Sequence, residues 1–317
     1  MNRNLYLAPV IVVITLVITA GIFNLISAFN FVYSGMYYDG NCKVTKVVTN
    51  SPAEKAGVLV GDSLLTYNGE KLTANITLGE QDGYKIGNKV EFRAERNGEI
   101  KSFQVVLEPE PAAFDMQYIG LFAMGLIYML CGLFAHFNVK SKLSLLFVLF
   151  TMVVGFLLGT QLIIANKIIL TIYIVFNSFM PALLMHFLLS FPPKSKFLSK
   201  KINTLYLYLP SLAILLAELP FVFPGTYESN MFINIIIVVL YIGYIIAVLL
   251  TLIVKYIKAA TEYRKKGGGT LLLISIIIGL AVLVAAIFSQ TNFIWFAVVS
   301  PVLIGLSIIK QARFKLE

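Results

Sequence analysis

The chain is poor in the residues that do chemistry. Its 317 residues include two histidines, two cysteines and one tryptophan, and only 13% are charged, about half the share of a soluble domain. Cys42 sits in a polar stretch and Cys131 in an apolar one, which argues against a disulfide framework, and neither has metal-ligand spacing. His136 and His186 stand alone in separate apolar runs. A zinc protease of the membrane needs two histidines one helical turn apart with a glutamate between them, plus an intramembrane aspartate; both are missing here. No glycine-rich nucleotide loop occurs, and the bases do not form a stripe interleaved with aromatics as a nucleic-acid surface would. The residues therefore predict no enzyme, no cofactor, no metal and no nucleic-acid partner.

What the chain has in abundance is hydrophobicity, at 58% of residues. A helix needs about 20 apolar residues to cross a bilayer. Eight segments reach or approach that length: Leu7–Phe31, Gln117–Phe137, Leu143–Ile164, Ile168–Phe191, Leu205–Phe223, Met231–Val254, Thr270–Gln290 and Phe293–Ile309. Only Gln290-Thr291-Asn292 separates the last two, which predicts a tight helical hairpin. The first run follows Arg3 and has the outline of a signal peptide, but it is longer than a typical hydrophobic leader. The expected fold class is a multi-pass α-helical membrane protein with eight transmembrane helices, arranged one plus seven, and a small α+β domain between the first and second.

Charge placement sets the orientation. Residues 39–110 carry 11 acids and 9 bases, a mixed surface; the remaining 245 residues hold 16 bases and 5 acids. Lys140 and Lys142, Lys194 to Lys201, Lys255 to Lys266, and Lys310 to Lys315 follow the even-numbered helices, while Lys167 alone falls in a short loop on the other side. Positive loops stay in the cytoplasm. Both termini are thus expected inside a bacterial cell membrane, with the polar island outside. Three regions result: residues 1–37 as an N-terminal helix, 38–110 as the extracytoplasmic domain, and 111–317 as a seven-helix region ending in a cytoplasmic tail.

The island's local signals are strong. Lys43–Val48 alternates polar and β-branched residues, as a half-buried strand does. Ser51, Pro52 and Glu54 form a helix start with a capping box, and Gly57 ends that helix. Val60-Gly61-Asp62 is a turn, Ser63–Tyr67 a strand, and Asn68-Gly69 a hairpin dipeptide. Thr73–Tyr84 reads as a second helix. Lys89–Arg96, the turn Asn97-Gly98 and Glu99–Glu108 form a hairpin with Val90, Phe92 and Ala94 facing inward.

The run Ser51-Pro52-Ala53-Glu54-Lys55-Ala56-Gly57-Val58, followed by Gly61-Asp62-Ser63-Leu64 and Asn68-Gly69, resembles the signature of bacterial envelope PDZ domains. Val58 and Leu64 stand where leucine and isoleucine are usual. The resemblance implies that an extended peptide is added to a sheet edge, with main-chain hydrogen bonds giving affinity. It points to a carboxylate-cradling loop before the binding strand, assigned to Tyr38-Asp39-Gly40-Asn41, leading into Cys42, Lys43 and Val44. That loop lacks the hydrophobic-glycine pattern of the family, and an inward Asp39 would repel a carboxylate.

A second resemblance lies in the helices. Pro181-Ala182-Leu183-Leu184-Met185-His186-Phe187-Leu188-Leu189-Ser190-Phe191-Pro192 is similar to a run in the seven-helix sensor regions of bacterial histidine kinases. One helix, an outer PDZ-like domain and seven more helices is the layout of the competence-type, pheromone-sensing kinases. Lys310-Gln311-Ala312-Arg313-Phe314 is similar in character to the segment leading into their kinase domain, so the chain is either a natural receptor half or the membrane region of a longer protein. Glu218 is the only acid inside a spanning run. Intramembrane ionisable groups are functional by default, and Glu218 with Gln161, Asn177, Asn234 or Gln290 is expected to line an outward pocket. The expected function is reception of an extracytoplasmic peptide and relay to a cytoplasmic signalling partner. The alternative is a non-enzymatic PDZ adaptor that recruits partners to an envelope protease or cell-wall enzyme. The lipid bilayer is a partner in either case, and both readings are compatible with a homodimer.

Overall fold

A computed structural model describes residues 14–15, 17–23, 26, 32–72, 84–109, 111–160, 167–191, 196–222, 231–258, 269–287 and 299–314. The chain divides into two compact units: residues 23–119 form one, and residues 1–22 with 120–317 form the other. The expected helix over Thr73–Tyr84 lies outside the described residues save for Tyr84. So do Gln161, Gln290 and the turn after it.

The first unit is β-rich. Its elements are β1 (Val32–Tyr33), β2 (Met36–Tyr38), β3 (Val44–Val47), α1 (Pro52–Lys55), β4 (Ser63–Tyr67), β5 (Glu70–Lys71), β6 (Lys89–Arg96), β7 (Glu99–Val106) and β8 (Glu108–Pro109). All strand pairs are antiparallel: β1 with β8, β2 with β3, and a four-stranded sheet in the order β5-β4-β6-β7. The β6–β7 hairpin is closed by Asn97 and Gly98, both at positive φ (56° and 83°), and Asn68-Gly69 turns β4 into β5 the same way. These mirror-image turns match the twist of the strands they join, and Asn and Gly tolerate them best. Alternation along β6 buries Val90, Phe92 and Ala94 against Phe103, Val105 and Leu107 of the returning chain, with Val44, Ala53, Val58, Leu64 and Tyr67 completing the core.

The unit begins earlier than the composition indicates. Val32–Tyr33 and Met36–Tyr38 are strands, in a stretch whose apolar residues continue the hydrophobic run before it.

The other elements are helices: α2 (Ala112–Asn138), α3 (Lys142–Gly159), α4 (Lys167–Ser190), α5 (Lys201–Glu218), α6 (Met231–Lys258), α7 (Gly269–Ile287) and α8 (Val299–Phe314), with helical residues also within 14–26. Among the described residues, four helices are long and apolar enough to cross a membrane: Ile119–Asn138, Lys142–Gly159, Ile168–Ser190 and Ile233–Ile257. Their outward faces are apolar. On α6, for example, Val239, Ile242, Ile246 and Leu250 are all exposed, a surface that only lipid or another helix satisfies.

Packing between helices relies on small residues. A Cβ on Gly125 of α2 would lie 2.6 Å from the Gly155 carbonyl oxygen of α3, so these backbones meet directly, as helices in lipid do. Ser275 of α7 donates to the Ser300 carbonyl of α8 at 2.8 Å. α3 starts with a reciprocal cap: Ser141 Oγ accepts from the Ser144 N–H, and Ser144 Oγ from the Ser141 N–H, each at 3.1 Å. The C-terminus of α4 is closed by a lysine from α6. Lys255 Nζ donates to the carbonyls of Leu188, Leu189 and Phe191 at 2.7, 3.0 and 2.5 Å. Pro192 and Pro193 follow and have no N–H to offer, so an ammonium supplies the donors that the last turn needs.

Candidate functional site

The geometry of the β-rich unit is set by α1. Ser51 is the N-cap, with its hydroxyl accepting from the Glu54 N–H at 3.3 Å, and Pro52 follows at the first helical position. The Glu54 carboxylate reaches one residue further back than a capping box requires, accepting from the Asn50 N–H at 2.6 Å. The same segment has a second task. The Ala53 N–H donates to the Ser34 carbonyl, and the Val48 N–H to the Gly35 carbonyl, both at 2.8 Å. Ser34–Gly35 is thereby strapped beneath the helix start. Gly35 has φ +77°, and a Cβ there would lie 2.1 Å from Ser51 Cβ. No other residue fits.

The Ser34 carbonyl is thus engaged by α1 and the Gly35 carbonyl by Val48, while the Ser34 and Gly35 N–H groups donate to no partner among the described residues. A left-handed residue is one half of the backbone geometry that anion-binding nests use. The chain then enters β2, whose only strand partner among the described residues is β3. In an antiparallel pair, alternate residues direct their main-chain groups away from the neighbour. The outer side of Met36–Tyr38 is therefore a sheet edge, with Met36 buried and Tyr37 exposed under Lys46, whose Nζ lies 5.6 Å from the ring centre.

The loop assigned from sequence has a different construction. Asp39–Lys43 is the turn of the β2–β3 hairpin. Asp39 Oδ1 accepts from the N–H groups of Asn41 (2.9 Å) and Lys43 (3.0 Å), while the Cys42 N–H donates to the Asp39 carbonyl at 2.9 Å. Asp39 holds its own turn, as Asp does in an Asx-turn. Gly40 lies in this turn and is open to solvent. Cys42 takes φ +58°, the left-handed residue that closes a three-residue hairpin loop, and its side chain is buried in the core. Val44 is buried there too, and Tyr38 packs against that core. Burial, and secondarily Cys42, pushes the Tyr38 phenol above its ordinary range. Tyr38 to Val44 are thus brought together, as a hairpin in which the N–H groups of Asp39, Asn41, Cys42 and Lys43 are already engaged. Tyr33-Ser34-Gly35, directly before β2, was not singled out in the sequence; its signal there is a lone glycine among apolar residues.

One further interaction fixes the site's frame. Arg96, at the end of β6, donates to Asp62 Oδ1 and Oδ2 at 2.6 Å each and to the Gly57 carbonyl at 2.8 Å. Asp62 is 1% exposed and also accepts from the Leu59 N–H at 2.9 Å. Burial works to raise its pKa, but the hydrogen bonds from Arg96 and Leu59 and the Arg96 charge outweigh that and hold the carboxyl below its ordinary range.

The helical unit gathers a separate polar group. Glu218, the last residue of α5, has its Oε2 3.0 Å from Ser178 Oγ of α4 and is hydrogen-bonded to the Tyr241 phenol of α6. Asn177 Nδ2 donates to Tyr241 Oη at 2.7 Å. Glu218 and Asn177 are thus brought together, joined by Ser178 and Tyr241; Asn234 lies on α6. Neither histidine belongs to this group: His136 Nδ1 meets Ser144 Oγ, and His186 Nδ1 meets Tyr208 Oη, each at 2.9 Å. Among the described residues, no three His, Cys, Asp or Glu side chains cluster as a metal site.

A capped short helix, a turn with a buried Asp62 and a four-stranded antiparallel sheet with a separate β2–β3 hairpin make up this small α+β unit. Residues 43–80 match the PDZ domain family, so a PDZ domain is present in this part of the chain. No curated protein and no solved structure matches the chain. The protein therefore combines a PDZ module with helices able to cross a membrane.

Proposed function

We propose that the protein is a membrane receptor module in which β2 takes up an extended peptide as an added strand, with a terminal or side-chain carboxylate held by the Ser34 and Gly35 N–H groups. The observation that carries this reading is that, among the described residues, β2 pairs as a strand with β3 alone and follows directly on the left-handed Gly35. Main-chain pairing along Met36–Tyr38 supplies affinity, and exposed Tyr37 and Lys46 bias selection. The lysine distribution supports eight crossings with both termini in the cytoplasm and the PDZ unit outside. The similarity of residues 181–192 to kinase sensor regions supports relay across the helices to a cytoplasmic signalling partner. Binding drives such relay only through unequal affinity for two helix arrangements.

The test is photo-crosslinking on the full chain in nanodiscs. A photoreactive amino acid replaces exposed Tyr37 on β2 or, as control, exposed Ile100 on β7, the edge strand of the four-stranded sheet. Peptides recovered from conditioned medium and envelope extracts are added. Adducts at 37 and none at 100 are expected. Adducts at neither position, or equally at both, would overturn the reading. An adduct consisting of an envelope protease or cell-wall enzyme would move the assignment from receptor to adaptor.

A further inference from the structure

α4, α5 and α6 meet at a group of oxygen atoms around one carboxylate. Asn177 and Ser178 sit at the middle of α4, Glu218 ends α5, and Tyr241 comes from α6. Ser178 Oγ donates to Glu218 Oε2 at 3.0 Å, but the same hydroxyl lies 2.7 Å from the Ile174 carbonyl, so its one proton is shared. The Tyr241 phenol also donates to Glu218, while its oxygen accepts from Asn177 Nδ2 at 2.7 Å. These donors are neutral. They leave lone pairs in use by no hydrogen on Glu218, on Ser178 Oγ and on the amide oxygen of Asn177.

No side-chain cation balances this carboxylate: among the described residues, no lysine, arginine or histidine forms an ion pair with Glu218. Ser178 is fully buried, and α4 is long and apolar enough to cross a membrane there. A charge in such surroundings is paired or coordinates a metal. The place in the fold adds to the demand. Glu218 lies at the C-terminus of α5, the negative end of the helix dipole, and Pro220 two residues on has no N–H to offer the last carbonyls.

The donors select the ion. All are oxygens, from carboxylate, amide and hydroxyl groups, which suit hard cations rather than zinc or copper. Among the described residues no three His, Cys, Asp or Glu side chains cluster here. A single carboxylate neutralises one positive charge, and a divalent ion would leave a net charge among apolar helices. We propose that Glu218, Ser178 and Asn177 bind a monovalent alkali cation that ties α5 to α4, with Tyr241 of α6 holding the carboxylate in place. The proposal does not depend on how β2 is used, so either can fail alone.

Thermal unfolding of the full chain in nanodiscs tests it, with NaCl or KCl titrated against N-methylglucamine chloride at constant ionic strength. The unfolding temperature should rise and saturate with at least one alkali ion, as binding to the folded state requires, and Glu218→Gln should lose that rise. An equal response to N-methylglucamine, stabilisation by CaCl2 alone, or a rise unchanged in Glu218→Gln would overturn the proposal. Should Glu218→Gln misfold, Asn177→Ala gives the second reading. The alkali midpoint should move to a several-fold higher concentration, and an unmoved midpoint would equally overturn the assignment.

Discussion

Replacing Arg96 by alanine removes one half of a buried ion pair that ties the end of β6 to the turn after α1. The guanidinium makes two 2.6 Å bonds to Asp62 and one 2.8 Å bond to the Gly57 carbonyl. Its side chain is 19% exposed, that of Asp62 1%. Removing one partner of a buried pair costs about 3–5 kcal/mol, because the other charge is left behind. Solvent already reaches Arg96, so screening reduces the expected loss to about 2–3 kcal/mol. The pH response follows. A carboxyl held low in the fold stabilises it above the unfolded pKa of about 3.9, and that stability is lost as pH falls through the depressed value. Without Arg96, burial dominates and raises the carboxyl. Acid then favours the fold, and the slope between about pH 4 and 6 reverses. Hydrogen-exchange mass spectrometry on the full chain, read over residues 57–62 and 93–106, measures this locally, since two units need not unfold together. The expected loss is roughly 1.5 to 2 decades of protection. A loss below about 1 kcal/mol with an unchanged pH slope would refute the reasoning.

Gly35→Ala should be among the most damaging single-methyl changes in the β-rich unit. It combines a positive φ with a Cβ placed on Ser51, so a loss of at least about 2 kcal/mol is expected, read as early exchange of residues 44–58. Lys255→Met preserves length but leaves three carbonyls at the end of α4 without their donor. About 1–3 kcal/mol should be lost, seen as a lower unfolding temperature in nanodiscs, whereas Lys310→Met, on an exposed position, should leave that temperature unchanged.

The parts of the fold legible in the sequence were those fixed by neighbours along the chain. Asn68-Gly69 and Asn97-Gly98 announce their turns because few other residues accept positive φ, and Val90, Phe92 and Ala94 announce their face because strands alternate. Ser51-Pro52 reads as a helix start for the same local reason. β2 was hidden because Met36–Tyr38 continues a hydrophobic stretch, and composition alone does not separate a buried strand from the tail of an apolar helix. Asp62 and Arg96 are far apart in sequence, so neither reveals the other. Lys255 looked like one more cytoplasmic positive charge, yet it closes the end of a neighbouring helix. Glu218 and Asn177 were legible because polar residues are rare in apolar runs. Ser178 and Tyr241, which complete their network, are too ordinary to stand out.

A peptide received by β2 would pair with its main chain. Amide exchange of the full chain in nanodiscs, with and without a peptide captured at position 37, reads this directly. Slowed exchange confined to residues 34–38 is the predicted result. Protection that spares those residues and falls on β7 or the 39–43 turn would contradict it.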